Sequence, residues 1–439
     1  VKLDSIAKLT RTHYSSEITE KLDGKKVTII GWIQEKRDLG GILFIIMQDR
    51  AGTVQITVPK KKVSEQVLSK ANGIQKRYSV SINGTVKKTK ISTRGVEVIP
   101  DQIKVLGTAT TKLPIDITGK TRANMESRLD ARSLDLCLEE NVAIFTIQHF
   151  ALEAIRNFLF KKGFLEVHTP RIIGSATEGG AELFEVDYFG EKAFLAQSPQ
   201  LYKEQLVMSL EKVFEVGPFF RAEDSHTRRH LSEFISVDIE QAFSNAQGVM
   251  SILEQLIKEI CLKVNEKCGR ELALLDHTVS IPSTPFKSLT YDEVLSDLKK
   301  EGIEINWGED LHTEALKTLG KIYPEFYFIT KWPTESKAFY IKPIPETPEK
   351  CEGFDLMWNW IELVSGGSRI ANKELLIKRL KQKKLNPKSF KHHLKAFDYG
   401  MPPHAGWAIG LERLTMLLTG KKNIREVTLY PRDRMRLTP

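Results

Sequence analysis

The chain has 439 residues, more than one ordinary domain needs, so two or three folded units with a sizeable core are expected. Hydrophobic residues make up 41% and charged residues 28% of it, and no apolar run approaches about 18 residues, which excludes a transmembrane helix. The opening VKLDSIAKLTRTHYSSEI lacks an apolar core of signal-peptide length, so a cytoplasmic protein is expected. Cys137, Cys261, Cys268 and Cys351 form no CxxC pair and read as reduced thiols rather than zinc ligands. A net charge of +9 with pI near 9.1 favours a polyanionic partner such as nucleic acid, although lysine-rich surfaces also occur without one.

In chain order, residues 23–106 read as five short strands: KKVTIIGWI, ILFIIMQDR, TVQITVP, YSVSINGTVKK and GVEVIPDQIKVL, divided by Gly, Asn and Asp turn signals. That spacing suits a small Greek-key barrel of the OB type, with another small barrel as the alternative. From 107 the alternation stops and Thr, Gly and Pro accumulate, marking a connector. From 139 the apolar positions Ile144, Ile147, Ala151, Ala154, Ile155, Phe158 and Leu159 recur at helical spacing, closed by Gly163. Strands around FLEVH, KAFLAQ, EKVFEVG and FISVDIEQAF follow, then a helix-rich block over about 246–335. Strand returns in CEGFDLMWNWIELVSGG, and a final helix starts near Gly410. The interleaving has no strict βαβ rhythm, so an α+β fold with a mainly antiparallel sheet is expected.

One window concentrates charge: FFRAEDSHTRRHLSEF, residues 219–234. Residues two apart on a strand share a face, so Phe234, Ser236, Asp238 and Glu240 point one way and Ile235, Val237 and Ile239 point to the core. Arg221 is placed to bind an anion against the sheet with its planar fork, unless the hairpin is simply a solvated loop of paired charges. There is no GxxxxGK[ST] loop and no GxGxxG after a strand, so cationic side chains and a metal would have to hold any nucleotide phosphates. Glu362 and Ser365 are hard oxygen ligands suited to magnesium, and Arg369 is a second anion fork. Arg413 lies in the first turn of the last helix, where a cation opposes the macrodipole and so invites an external anion. Asp355 lies seven residues before Glu362, so a bulge or break is needed for both to face one site. Glu178 and Lys203, on short segments after strands, read as candidates for an ammonium group and a carboxylate, or as surface charges.

Together these segments resemble class II aminoacyl-tRNA synthetases, and among them the archaeal and eukaryotic aspartyl group. GFLEVHTPRII with Pro170 is similar to that family's motif 1, FFRAEDSHTRRHLSEF to motif 2 and GWAIGLERL to motif 3, and the terminal PRD favours aspartyl over asparaginyl relatives. The resemblance implies an OB-fold anticodon-binding domain over 1–106, a hinge over 107–138 and a catalytic domain over 139–439 with a helical insertion at about 246–335. It implies activation of L-aspartate with ATP and Mg²⁺ to aspartyl-adenylate and pyrophosphate. The aspartyl group then passes to the 3′ end of the aspartate tRNA, with the asparagine tRNA left open as a second substrate. A homodimer built through motif 1 is expected.

By the same resemblance, Arg221, Arg413 and Glu362 carry catalysis. ATP falls to Arg221, Ala222, Glu223, Arg229, His230, Leu231, Phe234 and Glu362, with Gly410, Leu411, Glu412 and Arg413. Phe234 and Arg413 would sandwich the adenine and Glu223 would hold its edge. Aspartate falls to Glu178, Gln200, Lys203, Arg221, Asp238, Ser365 and Arg369, with Lys203 and Arg369 reading its side-chain carboxylate. Glu362 and Ser365 hold the metal, with Asp355 as a helper. In the barrel, Arg37, Phe44 and Gln55 would meet the anticodon. The sequence departs from the family at Ala371, where a His is usual, at Asn359 and Trp360, where a smaller residue is usual, and at Ala405 and Ala408, where Gly is common. The alternatives are an asparaginyl enzyme, against which Lys203 and Arg369 argue, and a silent tRNA-binding paralogue, against which Arg221, Glu362 and Arg413 argue.

Overall fold

The structure is a computed structural model that describes residues 2–92, 94–174, 183–222 and 227–439. The chain divides into two compact units, Val1–Glu139 and Glu140–Pro439. In the first, strands β1 (Lys26–Asp38), β2 (Ile42–Asp49), β3 (Gly52–Pro59), β4 (Ser79–Lys88) and β5 (Val96–Gly107) close into a barrel in the order β1-β2-β3-β5-β4. The period-two pattern explains the closure: Leu43, Ile45 and Met47 on β2 and Val54, Ile56 and Val58 on β3 all enter one buried core. Each such side chain contributes roughly 1.5–3 kcal/mol by leaving water. The outward positions stay available for a ligand. Arg37 stands directly opposite Phe44, and Gln55 opposite Ile46 on the same face.

The second unit is built on an eight-stranded sheet. Its strands are β6 (Leu165–Glu166), β10 (Lys212–Phe220), β11 (Glu233–Ala242), β12 (Lys287–Thr290), β13 (Phe326–Thr330), β16 (Gly353–Trp358), β17 (Ile361–Ser368) and β18 (His404–Gly410). Their order is β12-β13-β16-β17-β18-β11-β10-β6, antiparallel except for the end pairs β12-β13 and β10-β6. Short accessory strands β7 (Ile172–Ile173), β8 (Glu185–Tyr188) and β9 (Glu191–Leu195) form a separate sheet, and β14 (Pro343–Ile344) pairs with β15 (Thr347–Cys351). The block at about 246–335, expected to be helical, also supplies β12 and β13. Those strands run only four and five residues, too short to show alternation between charged helices.

One face of the sheet is covered by the helices Glu139–Lys161 and Ala246–Lys267. Ile147, Ala151, Ile155, Leu253, Ile257 and Ile260 from the helices pack with Val237 and Ile239 of β11 and with Trp407 and Ile409 of β18. The wholly buried Trp407 donates its indole N–H to the Val249 carbonyl at 3.1 Å, which satisfies its polar atom. Because alternate residues face opposite ways, this packing turns Phe234, Ser236, Asp238 and Glu240 toward the other face. Gly406 of β18 lies against that row: an added Cβ would meet the Ile239 carbonyl oxygen at 2.2 Å and Glu240 Oε2 at 2.3 Å. Only glycine fits there. Among the described residues no helix is long and apolar enough to cross a membrane.

Candidate functional site

The charged hairpin is β10 and β11 in antiparallel register, with Phe219 opposite Phe234 and Phe220 opposite Glu233. The Arg221 N–H donates to the Ser232 carbonyl at 2.9 Å, so pairing continues past the strand ends. Its guanidinium lies 5.3 Å from the centre of the Phe234 ring. Around them opens a cleft lined also by Arg229, His230, Leu231, Ser236, Glu362, Ser365, Gly410, Glu412 and Arg413. Of the residues expected at ATP, Glu223 lies outside the described residues. Two others do not line the cleft. The Leu411 side chain is buried, and Ala222 borders a neighbouring cavity beside Phe220 and Arg432.

Helix Leu411–Thr419 begins at Gly410, and its first turn sets two side chains into the cleft. Arg413 donates to the Glu362 carbonyl oxygen at 2.8 Å and keeps the Glu362 carboxylate at 3.7 Å. Glu412 is buried and accepts the Ile235 N–H at 2.9 Å. Burial pushes its carboxyl up to about 7, despite that hydrogen bond and the nearby Arg413. Arg229 also lines the cleft, and burial followed by the charge of Arg413 lowers its pKa. Two arginines crowded into one cleft, only partly offset by the Glu362 carboxylate, suit an anionic ligand.

Glu362 and Asp355 come together through a hairpin and not along one strand. β16 and β17 turn at Asn359 and Trp360, Asp355 stands opposite Ser365, and the register shifts between Leu356 and Met357. That is the break the odd spacing required. Asp355 is buried; its Oδ2 accepts from Lys337 at 2.5 Å while Oδ1 has no hydrogen-bond partner among the described residues. Burial, which outweighs the Lys337 charge, raises its pKa.

Further along β11 the polar row continues into a buried cluster. Lys203, from helix Gln200–Leu210, lies 3.0 Å from Asp238 and 3.5 Å from Glu240. Arg369 donates through Nε to Glu240 Oε1 at 3.0 Å and through Nη2 to Oε2 at 3.3 Å. Ser236 donates to Asp238 at 2.5 Å. All of these side chains are buried. Burial alone would lower the Arg369 pKa, but Glu240 reverses this and raises it. Gln200 donates to Glu204 at 2.6 Å. Glu204 is in turn 3.3 Å from His393 and 3.6 Å from His404, an ion-pair geometry without aligned hydrogen bonds. Burial opposes its charge, yet the two histidines hold the Glu204 carboxyl far below the carboxylate range. For His404 the result is the reverse: burial disfavours the cation, Glu204 outweighs burial, and the pKa rises. Glu178 lies outside the described residues.

Residues 124–434 match the family model described as tRNA synthetases class II (D, K and N), and residues 27–106 match that of the OB-fold nucleic acid binding domain. The chain belongs to the class II tRNA synthetases. It is 49% identical to the aspartate–tRNA(Asp/Asn) ligase of Methanopyrus kandleri, over 97% of this chain and 99% of that one. It is 48% identical to the aspartate–tRNA(Asp) ligase of Pyrococcus horikoshii, over 98% of this chain and all of the relative. Among solved structures, asparaginyl-tRNA synthetase from Pyrococcus horikoshii complexed with asparaginyl-adenylate superimposes with a TM-score of 0.91 at 31% identity, covering 98% of this chain and 100% of that one. Enzymes of this class use ATP.

For a class II synthetase the most telling residues that sequence reasoning left without a role are Glu240, Glu204, His393 and His404. Two carried a signal. Glu240 shares the Asp238 face by strand parity, and Glu204 lies four residues after Gln200, one helical turn on. The histidines had none, because they reach Glu204 only through folding of distant segments. In the barrel, Arg37 pairs with Glu35 at 2.9 Å, and Gln55 donates to Thr57 and Glu97 at 3.2 and 3.3 Å. Phe44 is half-buried between them in the sheet.

Proposed function

We propose that this class II synthetase is an aspartate–tRNA ligase: it activates L-aspartate with ATP and transfers the aspartyl group to the 3′ end of its tRNA. The observation that carries the reading is the buried cluster of Lys203, Arg369, Asp238 and Gln200, which shares strand β11 with the cleft of Arg221, Phe234 and Arg413. Glu240 occupies Nε and Nη2 of Arg369, leaving Nη1 outside those bonds. A carboxylate between Lys203 and Nη1 would find two positive partners, whereas a neutral amide would leave buried charge underpaired. The names of relatives at 48–49% identity over nearly the whole chain support the same substrate.

In the first step an aspartate α-carboxylate oxygen attacks the α-phosphorus, a new phosphorus–oxygen bond forms, and the bond to the β-phosphate oxygen breaks with pyrophosphate leaving. No protein nucleophile is required. Arg221 is positioned for the carboxylate and the α-phosphate and offsets charge that builds on the phosphoryl oxygens. Phe234 and Arg413 hold the base between them, and Arg229 and His230 meet the outer phosphates. Glu178 and Gln200 take the ammonium end, together with Asp238. In the second step the terminal tRNA hydroxyl attacks the activated carbonyl carbon and AMP departs.

Glu362 and Ser365 fit Mg²⁺, and Oδ1 of Asp355, across the strand from Ser365 and without a hydrogen-bond partner among the described residues, is a further oxygen for it. The described residues hold no group of three or more His, Cys, Asp and Glu suited to a metal, so phosphate oxygens and water would complete the shell, as magnesium favours. When bound, the ion neutralises charge on the outer phosphates. The barrel serves as the anticodon reader through Arg37, Phe44 and Gln55, with residues 107–138 as the hinge, and its matched family binds nucleic acid. A homodimer through motif 1 has support in the exposed Phe160, Leu165, Ile172, Tyr188 and Phe189.

The test is aspartate-dependent exchange of pyrophosphate into ATP. Robust exchange with aspartate and weak exchange with asparagine is expected; equal rates with both would overturn the substrate assignment. Charging of both purified tRNAs then reads whether one or two are accepted.

A further inference from the structure

A second cavity of about 570 Å³ adjoins the nucleotide cleft, and Arg229 lines both. Its walls carry Arg228, Arg229, Lys317, Lys421 and Lys422 around the indole of Trp360. None of these five cations has a carboxylate within ion-pair distance among the described residues, in a chain where many surface lysines do. Like charges gathered without counter-charge repel one another, and an anion removes that cost.

The local fold builds this arrangement. The β16-β17 turn packs against helix Thr313–Ile322 at Gly320, where an added Cβ would lie 2.5 Å from Asn359 Oδ1. The Asn359 carbonyl also accepts the Tyr327 hydroxyl at 3.0 Å. The turn is therefore fixed at Asn359, and Trp360 becomes a pedestal: the Arg229 guanidinium lies 4.5 Å from its ring centre and the Lys317 ammonium 5.6 Å. From the opposite wall, helix Leu411–Thr419 ends on Gly420 with φ of +68°, and the chain then delivers Lys421 and Lys422.

We propose that this cavity is an inorganic pyrophosphate site, the station through which the product leaves the nucleotide cleft and re-enters in the reverse reaction. The proposal rests on the aspartate–tRNA ligase reading for its source of pyrophosphate. Arg229 is the shared cation that hands the anion from one cavity to the other, which explains why the Trp360 pedestal holds it at their boundary. A compact polyanion without a base suits the site, because the indole already faces two cations.

The experiment uses the full-length K317A/K421A/K422A variant, whose changed side chains lie outside the nucleotide cleft. In aspartate-dependent exchange its KM for pyrophosphate should rise about tenfold, while the KM for ATP and the rate of adenylate formation stay within about twofold, taking each screened contact at a few tenths of a kcal/mol. A pyrophosphate KM within twofold of the unmodified protein overturns the proposal. So does a raised KM for tRNA alone, which would make the lysines a contact for the tRNA backbone. Calorimetric titration with inorganic pyrophosphate, without aspartate or ATP, separates the two readings. If the unmodified protein shows no aspartate-dependent exchange yet binds pyrophosphate through these lysines, the substrate assignment falls and the site stands.

Discussion

Replacing Glu412 by Gln should stabilise the protein in alkaline but not in acidic solution. Glu412 is buried in the first turn of the last helix, its Oε1 accepts the Ile235 N–H at 2.9 Å, and burial raises its carboxyl to about 7 from 4.5. For an acid whose folded pKa is raised, folding is undisturbed below the unfolded value, loses stability as pH climbs from about 4.5 to about 7, and carries a constant cost above that. The gap from 4.5 to about 7, at ~1.36 kcal/mol per unit, makes that cost on the order of 3 kcal/mol. Gln keeps the acceptor oxygen and nearly the same volume but cannot ionise. Thermal unfolding from pH 5 to 8.5 should therefore show the variant's Tm rising above that of the unmodified protein by roughly 3–5 °C at the alkaline end, with little difference at pH 5. The ATP dependence should follow, because an ionised Glu412 lining the cleft opposes the triphosphate. The KM for ATP should climb through neutral pH in the unmodified protein and stay flatter in the variant. Superimposable Tm profiles across the whole pH range would refute the assigned burial cost.

Two further outcomes are expected. Glu240→Gln removes the charge partner of Arg369 and weakens that of Lys203, so it should destabilise the protein by about 3 kcal/mol and raise the KM for aspartate; unchanged unfolding and KM would show that the buried pair is idle. Phe44→Ala should weaken tRNA binding by about 1–3 kcal/mol through lost base stacking while leaving aspartate-dependent exchange intact, and a filter-binding assay that finds equal tRNA affinity would remove the barrel face from recognition.

The barrel and the charged hairpin were legible because both depend on period-two alternation. Leu43, Ile45 and Met47 announce a buried face, and the parity of Phe234, Ser236, Asp238 and Glu240 against Val237 and Ile239 separates site from core before any contact is known. The resemblance then brought Lys203 and Arg369 to that face, and the structure sets both on it. What stayed hidden depends on distance along the chain. Glu204 meets His393 and His404 across about two hundred residues, and no local pattern encodes such a meeting. The strands Lys287–Thr290 and Phe326–Thr330 were hidden for another reason: they are too short to alternate visibly between amphipathic helices. Trp360 registered only as an unusual residue in a strand. Its role as a pedestal depends on the β16-β17 turn, which converts an awkward seven-residue spacing into a hairpin tip.

The contact between Gly406 and Glu240 limits how this pocket can change over evolutionary time. Any side chain introduced at 406 first would run into Glu240 and the Ile239 carbonyl oxygen. Shrinking Glu240 first would not open the position, because the Ile239 carbonyl oxygen stays in the way, and it would strand the buried guanidinium of Arg369. Position 406 is thus fixed by a backbone atom and position 240 by a buried ion pair, two constraints on one wall of the pocket that come from separate parts of the chain. A lineage, or an engineer, seeking a different amino acid substrate meets less resistance elsewhere, at the partly buried Ala371 two residues beyond Arg369.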